Sequence, residues 1–279
     1  MLSFPPRRQN RFSRVRLVGL VVVLAALAGG ALVPLATQLG SAAQTSLPPV
    51  SAACPRLVVP AYFDQNSAWE ETIAAAPYVE FIVLNPNSGP GEAPDAVLQG
   101  HVQAAQAAGI KVLGYIYTDL ARRSLVELAD EIRMYEGWYG VDGIHIDGAQ
   151  DDVEYLPYYR VLTRLIRSAG PDGTNGIVWL NPGYVPYEGF MEIVDIVETY
   201  EWFYDRYAAA EFPDWIYDYP ASRFAHIIYE TPSDEAALQQ VLDLAKQRNT
   251  GYIYVTSRDE TAAYRALPSY WDAKLDRLC

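Results

Sequence analysis

The chain has 279 residues, 51% of them hydrophobic and 20% charged, with a formal net charge of −13. That length suits one large domain or two small ones, and the acidic balance repels phosphate backbones and argues against a nucleic-acid partner. With only three histidines, a catalytic metal site is not expected, and no cofactor motif is visible.

The N-terminus is read first as a targeting segment. Arg7, Arg8, Arg11, Arg14 and Arg16 form a basic flank, and the run from Leu17 to Ala36 carries no charge. Residues 1–43 are expected to be a signal peptide, with Ser41-Ala42-Ala43 as a cleavage region, or an uncleaved membrane anchor. Arginines on the N-terminal side place that flank in the cytoplasm and the rest outside, so the folded part is expected to be secreted or anchored to the outer face of the membrane. Without those five arginines, 16 basic residues face 34 acidic ones.

Residues 44–53 are small, polar and Pro-containing, and read as a linker. Residues 54–279 then form the folded domain. Cys54 opens it and Cys279 closes the chain. In an oxidising compartment an even pair suggests a disulfide tying the chain ends together. A lipid-modified Cys54 and two unpaired thiols are the alternatives.

From there, short apolar runs alternate with helical patterns. Strands are predicted at Leu57 to Phe63, Phe81 to Asn85, Val112 to Tyr117, Gly143 to Asp147, Ile177 to Asn181, Ile193 to Tyr200, Phe224 to Tyr229 and Tyr252 to Thr256. Helices are predicted at Ala96 to Ala107, Ser124 to Trp138, Val153 to Ser168, Asp234 to Gln247 and Tyr270 to Leu278. Strand–helix alternation implies parallel βαβ units, and eight strands in this length suggest a single-domain (β/α)8 TIM barrel. A doubly wound open sheet is the rival, weakened because no glycine-rich nucleotide fingerprint follows the first strand.

The stretch Val141-Asp142-Gly143-Ile144-His145-Ile146-Asp147 is the most telling. Side chains alternate along a strand, so His145 and Asp147 share one face and the two isoleucines the other. An acid at the C-terminal end of a barrel strand stands where such folds place their chemistry; the competing reading is a helix or turn cap. The other strand ends carry Tyr62 and Asp64, Asn85, Tyr117 and Asp119, Asn181, Glu198 and Glu201, Tyr229 and Glu230, and Thr256. The chain holds 21 tyrosines and 6 tryptophans, and aromatic faces pack against sugar rings.

Two carboxylates on separate strands can divide glycosidic cleavage between an acid and a nucleophile or water-activating base. Asp147 and Glu201 are the best pair by position. Glu198 is the weaker candidate, because it lies within its strand. A hard-cation site from Asp147, Asp151, Asp152 and His145 competes, but no complete loop signature is present. Neither a Gly-x-Ser-x-Gly elbow nor a nucleophile–histidine triad is visible.

Several motifs together resemble the spherulin-4-like family (spherulation-specific family 4). They are Asn85-Pro86-Asn87-Ser88-Gly89-Pro90-Gly91, the run Ala108 to Thr118, Trp138-Tyr139, Val141-Asp142-Gly143-Ile144, Asn181-Pro182-Gly183 and Leu267-Pro268-Ser269-Tyr270-Trp271. The resemblance spans Leu57 to Trp271. It implies a (β/α)8 glycoside hydrolase, endo-acting on α-1,4-linked N-acetylgalactosamine and galactosamine in exopolysaccharides such as the galactosaminogalactan of biofilms. It carries the catalytic roles onto Asp147 and Glu201, with the order of roles open. Substrate contact falls on Tyr62, Asn85, Tyr117, His145, Asp151 and Asn181. No cofactor is implied, a monomer is expected, and a partly deacetylated, cationic polymer would suit the acidic chain.

The chain departs from the family in two places. Gly148 stands where the family has a Glu after the strand-end Asp, and His145 replaces an aromatic. Asp151 or Asp152 reaching back from the loop would supply the missing acid. The alternative is a non-catalytic carbohydrate-binding barrel.

Overall fold

A computed structural model describes residues 55–63, 65–170, 176–269 and 271. The N-terminal segment, the linker, Asp64, both cysteines and all but one residue of the predicted last helix lie outside the described residues.

Eight strands form a closed, parallel barrel in sequence order: β1 (Arg56–Ala61), β2 (Val79–Leu84), β3 (Lys111–Tyr117), β4 (Gly143–Asp147), β5 (Ile177–Leu180), β6 (Ile196–Phe203), β7 (Phe224–Tyr229) and β8 (Tyr252–Val255). β8 returns to β1 through Arg56↔Tyr252 and Leu57↔Ile253, so no sheet edge is left open. The helices are α1 (Asn66–Ala74), α2 (Ala96–Ala107), α3 (Leu125–Tyr139), α4 (Leu156–Ser168), α5 (Tyr204–Tyr207) and α6 (Glu235–Gln247).

Local chemistry sets the helix starts. The Asp95 carboxylate accepts from the Val97 and Leu98 amides at 2.8 and 3.1 Å, Ser124 Oγ accepts from Val126, and Asp234 accepts from Ala237 at 2.9 Å. Each cap satisfies amides that the first turn leaves without an intrahelical partner. α3 ends at Gly140 with φ +61°, a left-handed cap.

The barrel interior is filled rather than hollow. Phe81 packs edge-on against Trp179 (5.4 Å) and Tyr252 (5.1 Å), forming an aromatic floor toward the N-terminal end. Such edge-to-face pairs add to the burial of large apolar surfaces. Ile144 and Ile146 point outward toward the helices and are buried there.

Two sequence expectations shift. The strand predicted from Ile193 begins at Ile196. Ile193 and Val194 are buried but belong to the turn closing a short 3-10 helix, Glu188–Glu192, with both amides bonded to Phe190 O. Apolar character there reflects core packing, which periodicity cannot distinguish from a strand over so short a run. The pattern predicted as one helix from Val153 is a 3-10 turn, Val153–Tyr155, followed by α4, with Pro157 in the first turn where a missing amide costs nothing.

β6 carries a bulge. Glu198 pairs with Ala225, but Tyr200 pairs with His226 and Glu201 with Ile227, so Thr199 is the extra residue. A bulge resets the in–out alternation of a strand. Here it turns both Glu198 and Glu201 to the interior, which strict alternation forbids for residues three apart. Behind the bulge, His226 Nε2 meets Thr199 Oγ1 at 3.0 Å, and its Nδ1 meets Tyr207 Oη at 2.8 Å and Thr250 Oγ1 at 2.9 Å. Burial, reinforced by the charge of Arg248, lowers His226 to about 3. The ring is therefore neutral and serves as a hydrogen-bonding strut.

Candidate active site

The C-terminal mouth of the barrel holds a pocket lined by Tyr62, Tyr115, His145, Asp147, Asn181, Glu198, Glu201 and Tyr264, over Val58, Pro60, Val83 and Ile227. None of these is a lysine or arginine.

Asp147 ends β4. Its Oδ2 accepts from Tyr115 Oη at 2.6 Å, and its Oδ1 from Asn181 Nδ2 at 3.1 Å. The same Asn181 nitrogen donates to Glu201 Oε2 at 2.6 Å. Because these two bonds share one nitrogen, Asp147 Oδ1 and Glu201 Oε2 are no farther apart than the bonds laid end to end, roughly 5.7 Å. Asn181 itself is fixed, since its Oδ1 accepts from the Gly183 amide at 2.8 Å. That bond settles which end of the side chain carries the two donors.

Glu201 is an acceptor throughout. Tyr264 Oη donates to Oε1 at 2.6 Å and Tyr229 Oη donates to the same atom. The Glu201 amide is held by Gly183 O at 3.1 Å, which ties the bulged end of β6 to the loop after β5. Burial raises Asp147 to about 6, with the charge of Glu201 acting in the same direction and the Tyr115 hydroxyl opposing. Asp147 therefore holds its proton to a higher pH than an ordinary aspartate, as a general acid requires.

The other predicted residues fall at different depths. Tyr62 lines the mouth, edge-on to Tyr115 (5.8 Å) and Tyr264 (5.0 Å). Asn85 lies behind it: Oδ1 accepts from Gly89 at 3.0 Å, and the side chain also hydrogen-bonds Tyr62. It braces the Asn85–Gly91 turn and is not among the lining residues. His145 is at the pocket floor, buried, and lowered to about 3 by that burial. Tyr117 lies over Gly148, where a Cβ would come 2.2 Å from its ring. Gly148 also has φ +57°, a conformation that disfavours larger residues. Asp151 sits outside the pocket lining, and its carbonyl accepts from the Tyr187 amide at 2.8 Å. Asp152 caps the 3-10 turn through Glu154 N at 3.1 Å, so it does not reach back toward Asp147. Among the described residues no three His, Cys, Asp or Glu side chains are grouped to hold a metal ion.

Sequence reasoning underrated three contributors. Tyr115 shares the inner face of β3 with Tyr117, a parity the strand prediction contained. Glu198 was hidden by the bulge. Tyr264 lies in the segment after β8, away from any strand end, and no local signal marks it.

The family model described as spherulation-specific family 4 matches residues 56–278. Spherulin-4 of Physarum polycephalum is 31% identical over 150 residues, covering 52% of this chain and 44% of the relative; the match thus spans less than half of that protein's length. Among solved structures, Aspergillus clavatus Sph3 in complex with GalNAc superposes with a TM-score of 0.70 at 23% identity, over 81% of this chain and 98% of that one. At that identity the superposition establishes a shared barrel fold.

Proposed function

The chain belongs to spherulation-specific family 4, and from that premise and the carboxylate geometry we propose that it is a glycoside hydrolase cleaving an amino-sugar polysaccharide. One observation carries the proposal: Asp147 and Glu201, from different strands, are bridged by a single Asn181 amide at 3.1 and 2.6 Å. Inverting enzymes need about 6.5–9.5 Å between their carboxyl groups to admit a water, whereas retaining enzymes use about 5–5.5 Å. The bridging bonds hold the two facing oxygens within roughly 5.7 Å of each other, and on that closeness we take double displacement as the mechanism.

In that mechanism one carboxyl of the pair protonates the leaving oxygen while the other attacks the anomeric carbon. The first, now ionised, then activates the water that frees the sugar. Tyr229, Tyr264 and Asn181 hold Glu201 in place, as Tyr115 and Asn181 hold Asp147. Tyr62 supplies an aromatic wall suited to a sugar face.

The substrate class is proposed on two grounds. Sph3, with which the barrel superposes, was solved with GalNAc. The pocket offers three carboxyl groups and no lysine or arginine, which favours a neutral or cationic saccharide. We therefore assign an α-1,4-linked N-acetylgalactosamine polymer, partly deacetylated, as the substrate. Such a polymer is extracellular, in keeping with the export expected from the basic-then-apolar N-terminus. Gly148, the feature favouring a binding-only barrel, leaves the Asp147–Glu201 pair complete.

Mass spectrometry of products tests the proposal. Incubating the polymer with the chain should release oligosaccharides. Asp147→Asn and Glu201→Gln should each lower turnover by about 10²–10⁴-fold, the usual contribution of one acid or base, with the fold intact. Polymer binding with no products from any of the three proteins would favour the binding-only barrel.

A further inference from the structure

Beneath the pair lies a carboxyl group that the proposed chemistry does not use. Glu198 is wholly buried. The bulge at Thr199 turns it inward below Glu201. Its Oε2 accepts from Trp179 Nε1 at 3.3 Å and lies 3.4 Å from His145 Nε2. Its Oε1 has no hydrogen-bond partner. The ionisable groups facing it are His145 and Asp147 on β4, Glu201 on β6, Tyr229 on β7 and Tyr264 after β8. None carries a positive charge: His145, buried between Tyr115 and Trp179, is neutral.

An ionised carboxylate here would be buried, without a cation, beside two other carboxylates. Burying an unpaired charge costs far more than burying a neutral acid, and close like charges do not all ionise. Trp179 Nε1 donates to Oε2 and His145 Nε2 lies against the same oxygen, so both neighbours of the carboxyl group are uncharged.

We propose that Glu198 is a positioning residue, an un-ionised acid at the pocket floor that keeps a third negative charge from the Asp147–Glu201 pair. This rests on the reading of that pair as the reacting acids. Burial pushes the Glu198 carboxyl well above the usual range, and the charges of Glu201 and Asp147 push the same way. The consequence is that no third negative charge acts on Asp147 and Glu201 until Glu198 itself ionises.

The test is thermal unfolding of the full chain against pH, for wild type and Glu198→Gln. A carboxyl that keeps its proton when folded and loses it when unfolded binds more protons in the native state above about pH 4.3, so stability falls as pH rises. Glutamine keeps the shape without the titration. The expected result is a Tm that declines less between about pH 5 and 8 in Glu198→Gln than in wild type, with the curves meeting near pH 4. Parallel curves, or a variant least stable at high pH, would overturn the proposal.

Infrared absorption needs no Glu198 variant. An un-ionised carboxyl band at pH 8 that survives in Asp147→Asn is expected, and its absence contradicts the proposal. With polymer as substrate, the alkaline fall of kcat/KM should stay at the same pH in Glu198→Gln, and a shift to lower pH would overturn the proposal by showing that Glu198 carries a charge there. A raised KM at unchanged kcat would instead make Glu198 a substrate contact. A chain that cleaves no polymer would remove the glycosidase reading, while unfolding and infrared would still decide the state of Glu198.

Discussion

Asn181 is the residue on which the site turns. One amide nitrogen meets both carboxylates, and its oxygen is committed to the Gly183 backbone. Hydrogen bonds to charged groups are worth about 1.5–3 kcal/mol each, so Asn181→Ala should lower kcat/KM by about 10–100-fold and lower Tm as well. The proton on Asp147 sets the pH response, and Asp147 sits near 6. Activity should therefore fall as pH rises through about 6 and the proton leaves, which a kcat/KM profile measures. Gly148 is a second informative residue, because its left-handed backbone and the Tyr117 ring exclude a side chain. Strain of this kind costs about 1–3 kcal/mol. Restoring the family's acid as Gly148→Glu should lower Tm and leave turnover no higher; a gain in turnover at unchanged Tm would contradict the structure.

Among the elements, β6 decides whether the chemistry is possible. Its bulge puts Glu201 on the inner face, and the buried Tyr207–His226–Thr250 cluster meets the extra residue, Thr199, from behind. Thr199→Val removes a buried hydroxyl and should cost about 1–3 kcal/mol in urea unfolding. If the cluster positions Glu201, kcat should fall as well. Leu162→Ala on α4 is the control, with a core-cavity cost of about 2–5 kcal/mol, lost stability and unchanged kcat. Equal kcat in both variants would mean that the bulge holds its shape without the cluster. This element was also the least legible in the sequence. Alternation locates Asp147 on β4 from five residues, because that strand is regular. On β6 a single inserted residue breaks the period: Glu198 ranks below Glu201 in the sequence because it lies within its strand, and periodicity cannot see the bulge that turns both inward.

At the scale of the molecule, the barrel was legible because eight β-branched runs recur between helical patterns, and parallel strands buried on both faces must read that way. The one-turn α5, the 3-10 segments and the Tyr264 contact were not, since they depend on where distant loops meet. The acidic surface belongs to this scale as well. If it attracts a cationic polymer, binding should weaken as salt rises and weaken less for the fully acetylated form. Salt-independent binding of both would remove charge from the account. The central claim is retaining hydrolysis by two bridged carboxylates. Its most direct test is proton NMR of the first product released from the α-linked polymer. The account predicts an α-anomeric reducing end that later equilibrates, and a first-formed β anomer, or no reducing end at all, would contradict it.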